Sequence, residues 1–215
     1  MMTWWRAWTA VTLLMISPVA HAQEPPPIGP FVVDVHATFP LFPDDLQLAR
    51  SRGLNQVELP GLGLGADVGV HLYLLKWRAI TFGIGGKLTL TRAHAAPPTV
   101  TGQPSFGRPV TERFTSIAPQ LSFNFGSGAG WSYLSGGIGQ STWSIVPDGA
   151  AARTADAERL KTINYGGGAR WFAKPHLAFS VDVRFYAIDP GSPQPAVLGS
   201  PRTTLIIAGA GISVK

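Results

Sequence analysis

The 215-residue chain is only 13% charged and has no cysteine, against roughly 25% charge in ordinary soluble domains. The missing cysteines exclude a disulfide framework, a thiolate metal site and a thiol nucleophile. The formal net charge of +5 comes from scattered residues, so neither a basic stripe nor a basic–aromatic motif speaks for nucleic-acid binding.

Residues 1–22 are expected to be a secretory signal peptide: Arg6 supplies a positive start, Ala7 to Ile16 a short apolar stretch, and Ala20-His21-Ala22 a small-residue cleavage site. Cleavage there makes Gln23 the first mature residue. Residues 23–30 (QEPPPIGP) form a proline-rich lead-in. Beyond residue 22 no run approaches the ~18 apolar residues of a membrane helix.

From residue 31 onward the chain alternates at period two, the mark of strands with one apolar face. Eight runs are predicted. Phe31, Val33, Val35, Ala37 and Phe39 alternate with Asp34, His36 and Thr38. Leu62 to Leu74 alternate with Gly61, Gly63, Gly65, Asp67, Gly69, His71 and Tyr73. Ile80, Phe82, Ile84, Leu88 and Leu90 oppose Thr81, Gly83, Gly85, Lys87 and Thr89, and Ile117 to Phe125 oppose Ala118, Gln120, Ser122 and Asn124. The fifth run, 131–143, has small residues on both faces and no clear sidedness. Ile163, Tyr165, Ala169 and Trp171 oppose Asn164, Gly166, Gly168 and Arg170. Leu177 to Phe185 alternate with Ala178, Ser180, Asp182, Arg184 and Tyr186, and Ile206 to Val214 with Leu205, Ile207, Gly209, Gly211 and Ser213.

The connections set the topology. Segments 41–60, 92–113, 145–160 and 189–202 are long; 75–78, 126–130 and 173–176 are short. Strict alternation of long and short is what an up-and-down barrel with long extracellular loops and short periplasmic turns requires. The sequence therefore predicts an all-β fold, an eight-stranded antiparallel up-and-down transmembrane β-barrel over residues 31–215. Spreading apolar surface over alternate residues also explains the low charge without a spanning helix. A soluble ligand-binding barrel of the lipocalin type would turn the apolar face inward instead. Phe31, Trp77, Phe125, Trp131 and Trp171 lie beside the short turns and are expected to form an interfacial girdle, with Phe39, Phe114, Trp143 and Phe185 as its counterpart at the other end.

The runs INYGGGARWFAKPHLAFSVDVRFYAI and LSFNFGSGAGWSYLSGGIG resemble the later hairpins of the small outer-membrane β-barrel superfamily, the group of the outer-membrane protein A transmembrane domain and outer-membrane protein X. The resemblance covers residues 31–215. It implies a monomer in a bacterial outer membrane, with outer-membrane lipid and the barrel assembly machinery as partners. Unlike outer-membrane protein A, the chain is expected to carry no peptidoglycan-binding domain after the barrel, and the sequence closes on Ile-Ser-Val-Lys where many members of the group have an aromatic residue.

An eight-stranded barrel has room inside for side chains or one small ligand. The expected lumen network comprises Asp34, His36, Asp67, His71, Lys87, Gln120, Asn124, Asn164, Arg170, Asp182, Arg184 and Tyr186. Its three acids balance its three bases, as shielded ions require, and a hydrogen-bonded plug follows as the leading expectation over a narrow pore for small solutes. The inward glycines leave room for long side chains from facing strands.

For chemistry, His36 with Asp34 and a nearby serine is a conceivable nucleophile set, which makes a lipid-modifying enzyme the weaker alternative; no catalytic residue is assigned. No zinc-ligand spacing occurs, a His36–His71 metal pair is not favoured, and GLGLGADVG lacks the spacing of a phosphate loop. No cofactor is expected. Segment 92–113, with Arg92, Arg108 and Arg113 against Glu112, reads first as a solvated loop and second as a surface that meets lipopolysaccharide phosphates through arginine forks. A structural or surface-interaction role through the long loops is the leading functional expectation.

Overall fold

A computed structural model describes residues 29–97, 107–127, 129–193, 195 and 198–215; the expected signal peptide and most of the proline-rich lead-in lie outside them. Eight strands form one closed antiparallel barrel in which each pairs with its sequence neighbours and the last with the first. They are β1 (Phe31–Leu41), β2 (Leu64–Trp77), β3 (Ile80–Ala95), β4 (Val110–Ser127), β5 (Gly130–Pro147), β6 (Leu160–Lys174), β7 (Leu177–Ile188) and β8 (Thr203–Val214). Closure leaves no unpaired edge, the condition for placing strands in hydrocarbon.

Alternation places apolar residues outside. Val35, Val68, Leu88, Ile117, Leu134, Ile163, Val181 and Ile212, one from each strand, are exposed. Asp34, Asp67, Lys87, Gln120, Ser135, Asn164, Asp182 and Ser213, again one from each strand, are buried. The sidedness is the reverse of a soluble barrel. On β3 the outward face from Ile80 to Leu90 is free of charge; at ~3.4 Å per residue and a tilt near 40° it rises about 26 Å, the height of an apolar membrane band.

Three details adjust the regular pattern. A bulge between Tyr73 and Leu75 shifts the β2–β3 register, so Leu74, Leu75 and Trp77 are all exposed. The β4–β5 ladder lapses between Ile117↔Gln140 and Leu121↔Gly136, beside Pro119, which has no N–H to give. The strands also run further than the sequence segments imply: β3 and β4 pair as far as Ala95↔Val110, so Arg92, Glu112 and Arg113 lie on strands and not in a loop.

One long connection folds inward. Residues 42–63 carry α1 (Leu46–Ser51), whose first turn is capped by the Asp45 carboxylate accepting from the N–H groups of Gln47 and Leu48. Phe42, Leu48, Leu54 and Leu59 are buried in one cluster with Phe114, Trp143, Ile145, Ile188 and Leu205 of the barrel interior. An apolar lid thus covers the long-loop end, where the sequence reading gives only a long connection.

Candidate functional site

The barrel interior holds the expected network residues, and several of the large ones stand beside a glycine on a neighbouring strand. His36 pairs in register with Asp67 on β2 and with Gly211 on β8, and Gly211 pairs with Ser180 on β7. With no side chain at Gly211, the imidazole spans β8. Its Nδ1 lies 2.9 Å from Asp67 Oδ1 and its Nε2 2.8 Å from Ser180 Oγ. The carboxylate only accepts, so the neutral ring carries its proton on Nδ1 and accepts from the serine at Nε2. The same large-beside-glycine rule places Lys87 against Gly69, His71 against Gly85 and Arg184 against Gly166.

All six charges of the expected network are paired. Arg170 donates from Nε and Nη2 to the two oxygens of Asp34 at 2.8 and 2.6 Å, and Ser213 donates to the same carboxylate. Its guanidinium lies 3.9 Å from the Tyr133 ring centroid, and Asn124 accepts from it and from Tyr73. Deeper toward the lid, Lys87 bridges Asp67 and Asp182 at 3.0 and 3.1 Å. Arg184 lies 3.0 Å from Asp182 and donates to Gln120 and Ser135, while Gln120 donates to Asn164. Tyr133 donates to Asp182, and Tyr186 shares a hydrogen bond with Thr89. His71 is buried with Nδ1 unpartnered.

The serine–histidine–aspartate chain runs through Ser180, His36 and Asp67. The sequence reading put Asp34 in the acid's place, but Arg170 holds Asp34. The order of contacts is that of a nucleophile, base and orienting acid. Ser180 is 2% exposed, however, and sits inside the packed network. Both ring nitrogens of His36 are engaged, so the imidazole offers no metal a lone pair. Among the described residues no group of three or more His, Asp or Glu side chains is gathered as a metal site.

Two buried acids lie above the network, and one of them, Asp156, ties the barrel to its lid. Glu112, expected to face the arginines of its own segment, points inward and accepts from Trp143 Nε1 at 2.7 Å. Asp156, in a short 3-10 turn (Thr154–Asp156), accepts from the Ile145 and Arg153 N–H groups and lies 3.5 Å from Arg52. Arg52 descends from the lid and donates to the Trp143 carbonyl and to Ser200. Burial lowers its pKa from the ordinary value, against the opposing pull of Asp156 and Glu158. Glu58 latches the lid to the next loop, accepting from the N–H groups of Asn55 and Arg108 at 2.6 and 2.7 Å. Burial would raise its pKa, but these two N–H groups and the Arg108 charge hold it below the ordinary value.

The girdle residues separate. Phe31, Trp77 and Trp171 are exposed on the outer wall, and Phe125 is half-buried there. Trp131 is not with them: it is 2% exposed, points inward and meets Tyr73 edge-on. The Lys215 ammonium lies 4.9 Å from its ring centroid and 4.4 Å from that of Phe172, closing the short-turn end. At the other end Phe39 is exposed and Phe185 half-buried on the wall, but Phe114 and Trp143 are fully buried. These two form the floor of the lid cluster rather than a girdle. The parity of β4 already carries the signal for Phe114, which shares its even numbering with the inward Gln120, Ser122 and Asn124.

No protein-family model matches this sequence, and no curated protein sequence matches it either. Solved structures do. The crystal structure of Neisserial surface protein A (NspA) is similar with a TM-score of 0.56 at 13% identity, covering 87% of this chain and 97% of that one. Ail, the attachment invasion locus protein of Yersinia pestis, solved with the heparin analogue sucrose octasulfate, is similar with a TM-score of 0.50 at 12% identity, covering 85% and 97%. At such identities the likeness is one of fold. The chain is a closed eight-stranded antiparallel β-barrel with the fold of the small outer-membrane barrels.

Proposed function

We propose that the protein is an integral barrel of a bacterial outer membrane, exported with residues 1–22 removed, whose lumen is closed and whose work is done by its loop surface. The observation that carries this reading is the inside-out polarity joined to a filled interior: apolar side chains face outward on all eight strands, while the six charges Asp34, Asp67, Lys87, Arg170, Asp182 and Arg184 are each paired with an opposite one. A paired, hydrogen-bonded lumen leaves no continuous row of free polar groups for water or solute, and the lid covers the long-loop end. The chain inserts as a monomer, with the barrel assembly machinery as its route.

Flotation of the folded protein with phospholipid vesicles, read beside gel migration before and after heating, tests the membrane reading. Co-flotation and heat-modifiable migration are expected. Recovery of the mature protein in the soluble periplasmic fraction without detergent would overturn it.

A second reading, a hydrolase, rests on the contacts linking Ser180, His36 and Asp67. It stands second because the serine is sealed. A fluorophosphonate probe applied to the folded barrel is expected to leave Ser180 unlabelled; labelling abolished by Ser180→Ala would promote the enzyme reading.

A further inference from the structure

Two arginines on the outer wall lack the partner that the sequence assigns them. Arg92 on β3 and Arg113 on β4 are direct cross-strand partners, and both are exposed on the outward face. Like charges directly opposite one another on one face of a sheet repel. Glu112, the acid between them and the loop, faces the lumen and serves Trp143. Arg108, the third base of the segment, is engaged with Glu58. Among the described residues no carboxylate pairs with Arg92 or Arg113, and residues 96–109 contain no acid in their sequence.

Their depth is specific. Below Arg92 the outward face of β3 is free of charge down to Ile80, and below Arg113 that of β4 runs Thr115, Ile117, Pro119, Leu121, Phe123. The two guanidinium groups therefore lie at the upper boundary of the apolar band, the level of lipid headgroups. Ser144 is the cross-strand neighbour of Arg113 on β5, a hydroxyl at the same height. On the other side of Arg92 an open groove of about 580 Å³ is walled by Phe39, Leu62 and Leu64. A charged pair without an anion beside an apolar groove at headgroup depth is complementary to a phosphorylated, acylated lipid.

We propose that Arg92 and Arg113 form a binding site for a phosphate group of a lipopolysaccharide in the outer leaflet, with an acyl chain lying along the Phe39–Leu62–Leu64 groove. This site rests on the outer-membrane reading above. The phosphate sits between the two guanidinium groups, accepts from both and cancels their repulsion; forked arginine donors suit phosphate oxygens.

The test uses the full mature barrel in detergent micelles, with diphosphoryl lipid A, fully dephosphorylated lipid A and inorganic phosphate as probes. Diphosphoryl lipid A is expected to bind saturably and to raise the unfolding temperature. In R92Q/R113Q its affinity should fall about tenfold or more, as expected on losing two charge-assisted contacts, while R202Q, in another loop, stays at wild-type affinity. Without lipid A, R113Q should be no less stable than wild type, since it removes a repulsion; with lipid A it should be less stable. Equal affinity of R92Q/R113Q and wild type, equal binding of dephosphorylated lipid A, or equally tight binding of inorganic phosphate alone would each overturn the proposal. Flotation of wild type and variants with phospholipid vesicles separates this failure from failure of the membrane reading, because insertion needs neither arginine.

Discussion

Removing Asp34 isolates the energetics of the filled lumen. Its carboxylate takes two charge-assisted hydrogen bonds from Arg170 and one from Ser213. In Asp34→Ala the guanidinium stays buried with only a 3.3 Å contact to Asn124 and the Tyr133 ring face. Breaking a buried ion pair by deleting one partner costs about 3–5 kcal/mol, so the folding equilibrium should fall by roughly 10²- to 10⁴-fold. Deleting both charges together, in Asp34→Ala with Arg170→Met, leaves an apolar side chain over Tyr133 and should bring stability back to within about 1–2 kcal/mol of wild type. The coupling between the two sites should then exceed about 2 kcal/mol. Denaturant titrations in phospholipid vesicles, followed by tryptophan fluorescence, measure all four corners of the cycle. A single-mutant cost below about 1 kcal/mol, or additive single mutants, would refute the view that complementary pairing holds the lumen.

Three further outcomes follow from the geometry. A Cβ at Gly211 would lie 2.0 Å from the Val35 carbonyl oxygen, whereas one at Gly86 meets nothing nearer than 3.7 Å; Gly211→Ala should cost about 1–3 kcal/mol by overpacking and Gly86→Ala should be tolerated, compared by the same titrations. Leu48→Ala should weaken lid docking by about 2–5 kcal/mol and open residues 42–63 to limited proteolysis, while heat-modifiable migration of the barrel persists; unchanged proteolysis would show that the lid is held elsewhere. Glu58 has a folded-state pKa below its ordinary value of 4.5, so its latch is fully present above about 4.5 and is lost as pH falls through the lower folded value; the amide resonances of Asn55 and Arg108 should titrate together with a midpoint below 4.5, and a midpoint above it would reverse the sign.

Much of the fold was legible because a period-two pattern states the face of every residue. His36, Asp67, Lys87, Asp182 and Arg184 stand inward by simple parity, and the alternating connection lengths give strand order without ambiguity. What parity does not give is register around the barrel. That Asp67, and not Asp34, faces His36, or that Gly211 lets the imidazole reach Ser180, depends on how neighbouring strands slide past each other. Trp131 and Trp143 misled because β5 has small residues on both faces, so an aromatic girdle seemed the natural home for each indole. Their cross-strand partners, Arg170 and Phe114, are inward by the parity of their own strands and give the better signal. The lid was missed for another reason. Phe42, Leu48, Leu54 and Leu59 follow no single period, and only the open end of a barrel makes a core for them.

Closure is the central claim, and single-channel recording on the reconstituted full-length mature barrel tests it most directly. With the lumen charges paired and the lid docked, no conductance steps are expected in wild type, and none in Leu48→Ala, because the polar network beneath the lid is intact. Reproducible steps in wild type, absent from protein-free bilayers, would contradict the account and make the lumen a conduit.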